Sequence, residues 1–194
     1  MLARALADDR VGQVVAPTRR PLTPHPRLHN PLVDFARLPA SESWPEVDGV
    51  ICALGTIRAV AGSAEAFRTV DFVYSLAIAH LARSRGATRL ALTSSMGANP
   101  RSIFLYLRTK GQLEEALERL GWDSLTIVRP GLLGGDRKER RPGERFAAGL
   151  LGTLAPVLPR RLRISPADEV ARFLLDGAIA GPEGTHIVEA GRLA

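Results

Sequence analysis

The sequence predicts an α/β fold, a doubly wound parallel sheet, and three observations carry that prediction. Apolar runs bounded by turn residues alternate with helical patterns from residue 47 onward, in the order β-α-β-α-β. The run at residues 47–54 is nearly continuous rather than alternating, as expected for a parallel strand covered on both faces. The intervening patterns are long enough to serve as right-handed crossovers between parallel strands.

In chain order, residues 1–10 read as the end of a helix and residues 11–16 as a short apolar strand. Residues 17–48 hold seven of the 14 prolines and read as loops around one short strand near residues 32–35, because proline cannot donate to a ladder. Residues 63–85 form a long helical pattern, with Ser63 as N-cap, Glu65 in the first turn and Gly86 as the stop. Residues 88–93 are the next strand, 103–120 the next helix, closed by Gly121, and 124–128 a further strand that runs into Arg129-Pro-Gly131. A helix near 143–154, a short strand near 162–164, a helix over 166–180 opened by proline and a last strand at 185–188 complete the pattern. The expected architecture is a Rossmann-type sheet, with ligands beyond the carboxyl ends of its strands.

At 194 residues the chain fits one domain, 1–194, and 45% hydrophobic with 24% charged residues excludes a disordered, collagenous or coiled-coil protein. Cys52 has no partner cysteine, which excludes a disulfide-stapled module and points to a reducing compartment, with the cytoplasm as the expected location. The longest apolar stretch, residues 146–158, is broken by Gly149, Gly152 and Pro156 and falls short of the ~20 residues of a membrane helix, so no membrane partner is expected. The amino terminus lacks the apolar core of a signal peptide.

Net charge is +6, and Lys110 and Lys138 are the only lysines. Arginines cluster at 137–145 and 160–163, but aromatic residues total 5%, too few for a stacking platform, and no nucleic-acid partner is expected. Four histidines and one cysteine form no ligand set, so no metal is expected. Cys52, Trp44 and Trp122 read as structural, and Asp71 and Tyr74 as helix packing.

The chemistry-bearing segment is Leu92-Thr-Ser-Ser-Met-Gly-Ala-Asn-Pro-Arg-Ser-Ile-Phe-Leu-Tyr-Leu-Arg-Thr-Lys110. Tyr106 and Lys110 lie four residues apart on one helix face, where an ammonium favours the phenolate. A hydroxyl from Ser95 or Ser94 could donate to a substrate oxygen and stabilise charge developing there.

The pair alone is weak evidence. Its context is a Ser-Ser strand end eleven or twelve residues earlier and Arg129-Pro-Gly131 at the end of the next strand. That context resembles the short-chain dehydrogenase/reductase superfamily. Ser94-Ser-x-Gly-Ala-Asn99, Phe104-Leu-Tyr-Leu-x-x-Lys-Gly-x-Leu-Glu114, Arg129-Pro-Gly-Leu-Leu133 and Arg140-Arg-Pro-Gly-Glu144 resemble its atypical branch of Tat-interacting oxidoreductases.

The resemblance implies an NADP(H)-binding Rossmann fold, with Tyr106 as proton donor or acceptor, Lys110 on the ribose hydroxyls and Ser95, or alternatively Ser94, orienting a small-molecule substrate. Arg19 and Arg20 follow the strand at 11–16, where arginine suits a 2′-phosphate and so favours NADPH. Asp34 resembles the residue that contacts adenine, although a turn-forming aspartate fits equally. Ala53, Leu54, Gly55 and Thr56 would run beside the cofactor backbone, and Pro130, Gly131 and Leu132 beside the nicotinamide. The substrate side would be a small region at about 132–165.

One part of the family pattern is absent. None of the 18 glycines builds Gly-x-Gly-x-x-Gly, and the expectation is a chain lacking the opening strand and Gly-rich turn, ~15–20 residues by the length of a βαβ unit. That strand is central in the order 3-2-1-4-5-6, so its loss would divide the sheet. The leading functional expectation is an NADPH-dependent oxidoreductase acting on a small carbonyl or alcohol. The alternative is a non-enzymatic, NADP(H)-responsive protein that contacts a protein partner. A nucleotide-sugar epimerase fits less well, because only 65 residues follow Arg129. Oligomeric state is not readable from the sequence.

Overall fold

Parallel strands organise the molecule, as the apolar runs require. The computed structural model describes residues 1–38, 46–56, 58–131, 133–134 and 165–193. Strands β3 (Gly49–Cys52), β4 (Arg89–Thr93), β5 (Ser124–Arg129) and β8 (Gly184–Glu189) form a four-stranded sheet in the order β3-β4-β5-β8, parallel throughout. Two short parallel pairs stand apart from it. They are β1 (Val14–Val15) with β2 (Leu28–His29), and β6 (Leu133–Gly134) with β7 (Ser165–Pro166). The helices are α1 (Leu2–Ala7), α2 (Arg58–Ala61), α3 (Ala64–Arg68), α4 (Ser75–Ser84), α5 (Leu105–Glu118) and α6 (Ala167–Ala180).

Period-two alternation along the strands divides the core into two layers. Leu90, Leu92, Leu125 and Ile127 face α4 and α5, where they pack with Ala79, Leu113, Leu117 and Trp122. Ala91, Val128 and Val188 face the other way, onto Val170, Leu174 and Ala178 of α6. Cys52 belongs to the first layer, and burial pushes its thiol pKa up, which fits packing rather than nucleophilic work. Trp122 is structural in the same sense.

Helix boundaries follow local chemistry. Ser63 caps α3 by accepting the Ala66 N–H on its hydroxyl at 3.0 Å. The helical pattern at 63–85 is interrupted, however: Thr69–Tyr74 form a π-helical turn between α3 and α4. The strand expected at 11–16 narrows to Val14–Val15. The strand expected near 32–35 does not form. Its partner position lies upstream at Leu28–His29, Leu32 makes only an isolated bridge to Thr18, and Phe35–Arg37 turn into a 3-10 helix. The cause is Asp34, whose carboxylate accepts the Ala36 N–H at 2.9 Å and turns the chain out of the extended conformation.

The sheet is divided as expected. Among the described residues no strand pairing links β1 to β3, and a cleft of about 740 Å³ lies between them, lined by Val14, Val15, Gly49, Ile51, Ile78 and Leu175 among others. The helix expected at 143–154, the strand at 162–164, Trp44, both arginine clusters and most of the 132–165 region lie outside the described residues.

Candidate functional site

Helix α5 carries the centre of the site. Tyr106, Lys110 and Glu114 recur every four residues, so they share one face. Tyr106 is 41% exposed, whereas Lys110 and Glu114 are buried. The Lys110 ammonium lies 6.0 Å from the Tyr106 ring centroid, and Phe67 holds the other flank of that ring at 5.9 Å. Gly111 lets the serine-bearing turn rest directly on this helix. A Cβ there would lie 2.3 Å from the Pro100 nitrogen and 2.4 Å from the Asn99 carbonyl carbon, distances no side chain tolerates.

Beneath α5 lies a second charge. Asp71, in the π-helical turn, is fully buried and pairs with Lys110 at 2.8 Å. Its second carboxylate oxygen accepts the Thr56 N–H at 2.6 Å. Gly55 passes close to this pair: a Cβ there would make a tight contact of 3.3 Å with the Asp71 carboxylate and an ordinary one of 3.6 Å with the Lys110 ammonium. One aspartate thus joins the 53–56 backbone to the lysine, and this corrects the packing role read for Asp71 from sequence. A signal was available. Phe67, Asp71, Ser75 and Ala79 recur every four residues and all are buried, so Asp71 interrupts an otherwise uncharged inward stripe.

The strand ends complete the cluster. Ser94 N–H donates to the Val128 carbonyl at 2.8 Å and Met96 N–H to the Pro130 carbonyl at 2.9 Å, which sets the serine turn beside Pro130 and Gly131. Gly131 N–H in turn donates to the buried Ser165 hydroxyl at 3.1 Å. The two serines differ. The Ser94 hydroxyl is buried and donates to Glu114 at 2.5 Å, while that of half-buried Ser95 makes only a long contact to the Met96 carbonyl, 3.3 Å. Glu114 also accepts two bonds from Arg129, at 3.0 and 2.6 Å, and Arg129 reaches Glu189 at 3.1 Å. The pairing with Glu114 raises the Arg129 pKa, so its charge is held firmly.

The structure therefore brings together Tyr106, Lys110, Ser94, Ser95, Ala53–Thr56 through Asp71, and Pro130 with Gly131. It does not bring Arg19, Arg20 and Asp34 into contact with them. Arg19 and Arg20 are exposed on the β1–β2 side, and among the described residues neither guanidinium has an ion-pair partner. Asp34 acts as the turn-forming residue, and its neighbour Phe35 stacks at 5.8 Å on Tyr74 of the π-helical turn. Leu132 lies outside the described residues.

Comparison with known proteins decides the family. The rat protein HTATIP2 is 36% identical over 191 residues, a match that covers 95% of this chain and 77% of that protein. The chain belongs to the HTATIP2 family. This is the Tat-interacting branch of the short-chain dehydrogenase/reductases, NAD(P)-binding and oxidoreductase-like. Candida albicans "Protein FMP52, mitochondrial" is 38% identical over 154 residues, covering 74% of this chain and 67% of that one. The chain spans 45% of the Emericella nidulans relative of the same name. No protein-family model matches.

Among solved structures, MoeE5 in complex with UDP-glucuronic acid and NAD aligns with a TM-score of 0.72 at 18% identity, over 96% of this chain and 70% of that one. Bordetella bronchiseptica WbmH with NAD+ aligns at 0.64 and 12% identity, over 92% and 67%. At such identities the likeness establishes the Rossmann fold. The expectation of a cytoplasmic protein is overturned. The fungal relatives of this chain are named as mitochondrial proteins. A lone cysteine shows only that the chain forms no internal disulfide, which does not tell one compartment from another.

Proposed function

We propose that this protein is an NADP(H)-dependent oxidoreductase that interconverts a small carbonyl compound and its alcohol. One observation carries the reading: an accessible phenol, Tyr106, stands on the same helix face as a buried ammonium, Lys110, which Asp71 anchors from behind.

Residues are present that suit the ribose and 2′-phosphate parts of the cofactor. Lys110 has three N–H donors, and its ammonium, held as an ion pair 2.8 Å from Asp71, suits ribose hydroxyls. Gly55 keeps the 53–56 backbone free of a side chain where it crosses the ion pair. The unpaired guanidiniums of Arg19 and Arg20 suit a 2′-phosphate, which they can grip with charge-assisted bonds. When bound, the nicotinamide supplies or accepts the hydride.

The chain's own residues handle the proton. In the reducing direction Tyr106 donates its phenolic proton to the carbonyl oxygen as that oxygen gains charge, and the Lys110 ammonium stabilises the phenolate left behind. Exposure of Tyr106 lets water return the proton. The Ser95 hydroxyl donates to the same substrate oxygen, since that of Ser94 is engaged by Glu114.

The test is Tyr106→Phe, assayed as NADPH consumption against a panel of aliphatic and aromatic aldehydes and ketones. Turnover is expected to fall by about 10²-fold or more, the usual worth of a positioned proton donor, with NADPH affinity nearly unchanged. Retained turnover contradicts the mechanism.

A further inference from the structure

We propose that Glu114 is a positioning residue, which fixes the serine turn and the Pro130–Gly131 backbone relative to the helix that carries Tyr106 and Lys110. The inference rests on the reading of Tyr106 and Lys110 as the proton-transfer pair. Two strand ends meet at this one buried carboxylate, and a third joins through Arg129. It accepts from Ser94 at the end of β4 and twice from Arg129 at the end of β5, and Arg129 extends the node to Glu189 at the end of β8. These are the strand ends from which the serine turn and the Pro130–Gly131 segment depart.

Adhesion alone does not explain the arrangement. Leu113 and Leu117, on either side of Glu114 in sequence, are fully buried and already hold α5 against the sheet. A further apolar side chain would serve that purpose without the desolvation of two charges, since replacing a buried ion pair by apolar residues is commonly neutral or stabilising. What a bidentate guanidinium–carboxylate contact adds is direction, because two parallel bonds fix both distance and angle. Lys110 and Glu114 also stand at the i, i+4 spacing at which opposite charges pair along an isolated helix. Each instead engages a different element, Lys110 the π-helical turn and Glu114 the strand ends. The helix is thereby held at two points one turn apart, adjacent to Tyr106.

The decisive experiment needs no ligand, so its failure is distinguishable from failure of the oxidoreductase reading. Amide hydrogen exchange is compared in the wild-type chain, in the apolar double variant Glu114→Met/Arg129→Met and in Arg129→Lys. The amide of Met96, bonded to the Pro130 carbonyl, is expected to exchange at least tenfold faster in the double variant. Those of Leu90 and Ile127, in mid-strand, should stay as they are, and the melting temperature should hold or rise. Arg129→Lys keeps the charge but not the fork, folds without a new apolar surface, and should also release Met96. The proposal is overturned if Met96 exchange is unchanged in both variants, if every amide accelerates together, or if lysine restores full protection.

Discussion

At the residue scale the most consequential contact is the Asp71–Lys110 pair, because both charges are buried and each is satisfied chiefly by the other. Removing one partner from such a pair leaves an uncompensated charge. Asp71→Ala is therefore expected to cost about 3–5 kcal/mol, read from urea unfolding. Asp71→Asn should cost less, since its amide oxygen can still accept the Thr56 N–H. No loss in Asp71→Asn would show that the ion pair contributes nothing, whereas equal losses in the two variants would show that the Thr56 bond contributes nothing. Tyr106, Lys110 and Ser95 were legible in the sequence because their spacing is local, within one strand end and the next helix. The stripe of Phe67, Ser75 and Ala79 marks Asp71 as an inward charge, but its pairing with Lys110 was not legible, because the partner lies on a different element. Ser94 and Ser95 are neighbours of one chemistry, and only the carboxylate of Glu114 separates their roles.

At the element scale, the packing of the serine turn onto α5 depends on the missing side chain of Gly111. Gly111→Ala places a methyl group within 2.3 Å of backbone atoms that cannot rotate away, and overpacking of this kind costs about 1–3 kcal/mol or more. The expected result in a thermal melt is a lower midpoint, with amide shifts in residues 97–100. Ser63→Ala, by contrast, removes a single cap bond at the start of α3 and should cost about 1 kcal/mol.

Elements with strong periodicity emerged where the sequence placed them: β3, β4, β5, β8, α5 and α6. The failures have local causes. Around residues 32–35 the apolar pattern suggested a strand, but an aspartate that bonds its own backbone overrode it. The π-helical turn was invisible because one extra residue per turn barely disturbs a helical pattern, although it reorients Asp71 toward Lys110.

At the scale of the whole molecule, two ion pairs link the N-terminal segment that carries α1 to α6. Arg4 pairs with Asp168 of α6, and Arg10 bridges Asp8 at 2.7 Å and Asp176 at 2.8 Å. Arg10 holds the Asp8 carboxyl down to about 2, and Arg4 likewise lowers that of Asp168. Because the folded Asp168 value lies below the ordinary ~3.9, its pairing with Arg4 is complete above that pH and is lost as pH falls through the lowered value. Hydrogen exchange across this window should show α1 losing protection before β4 and β5. Protection of α1 that stays constant through it would contradict the electrostatic attachment.

The same scale decides cofactor use, since Arg19 and Arg20 stand on the β1–β2 side and the proton-transfer pair on the four-stranded sheet. The most direct measurement is a calorimetric titration of NADPH and of NADH into the wild-type chain and into Arg19→Ala/Arg20→Ala. The account predicts that NADPH binds about tenfold or more tightly than NADH, as charge-assisted bonds to a phosphate provide, and that the double variant abolishes this preference while leaving NADH unaffected. Absence of binding by either nucleotide, or equal affinities untouched by loss of both arginines, would contradict it.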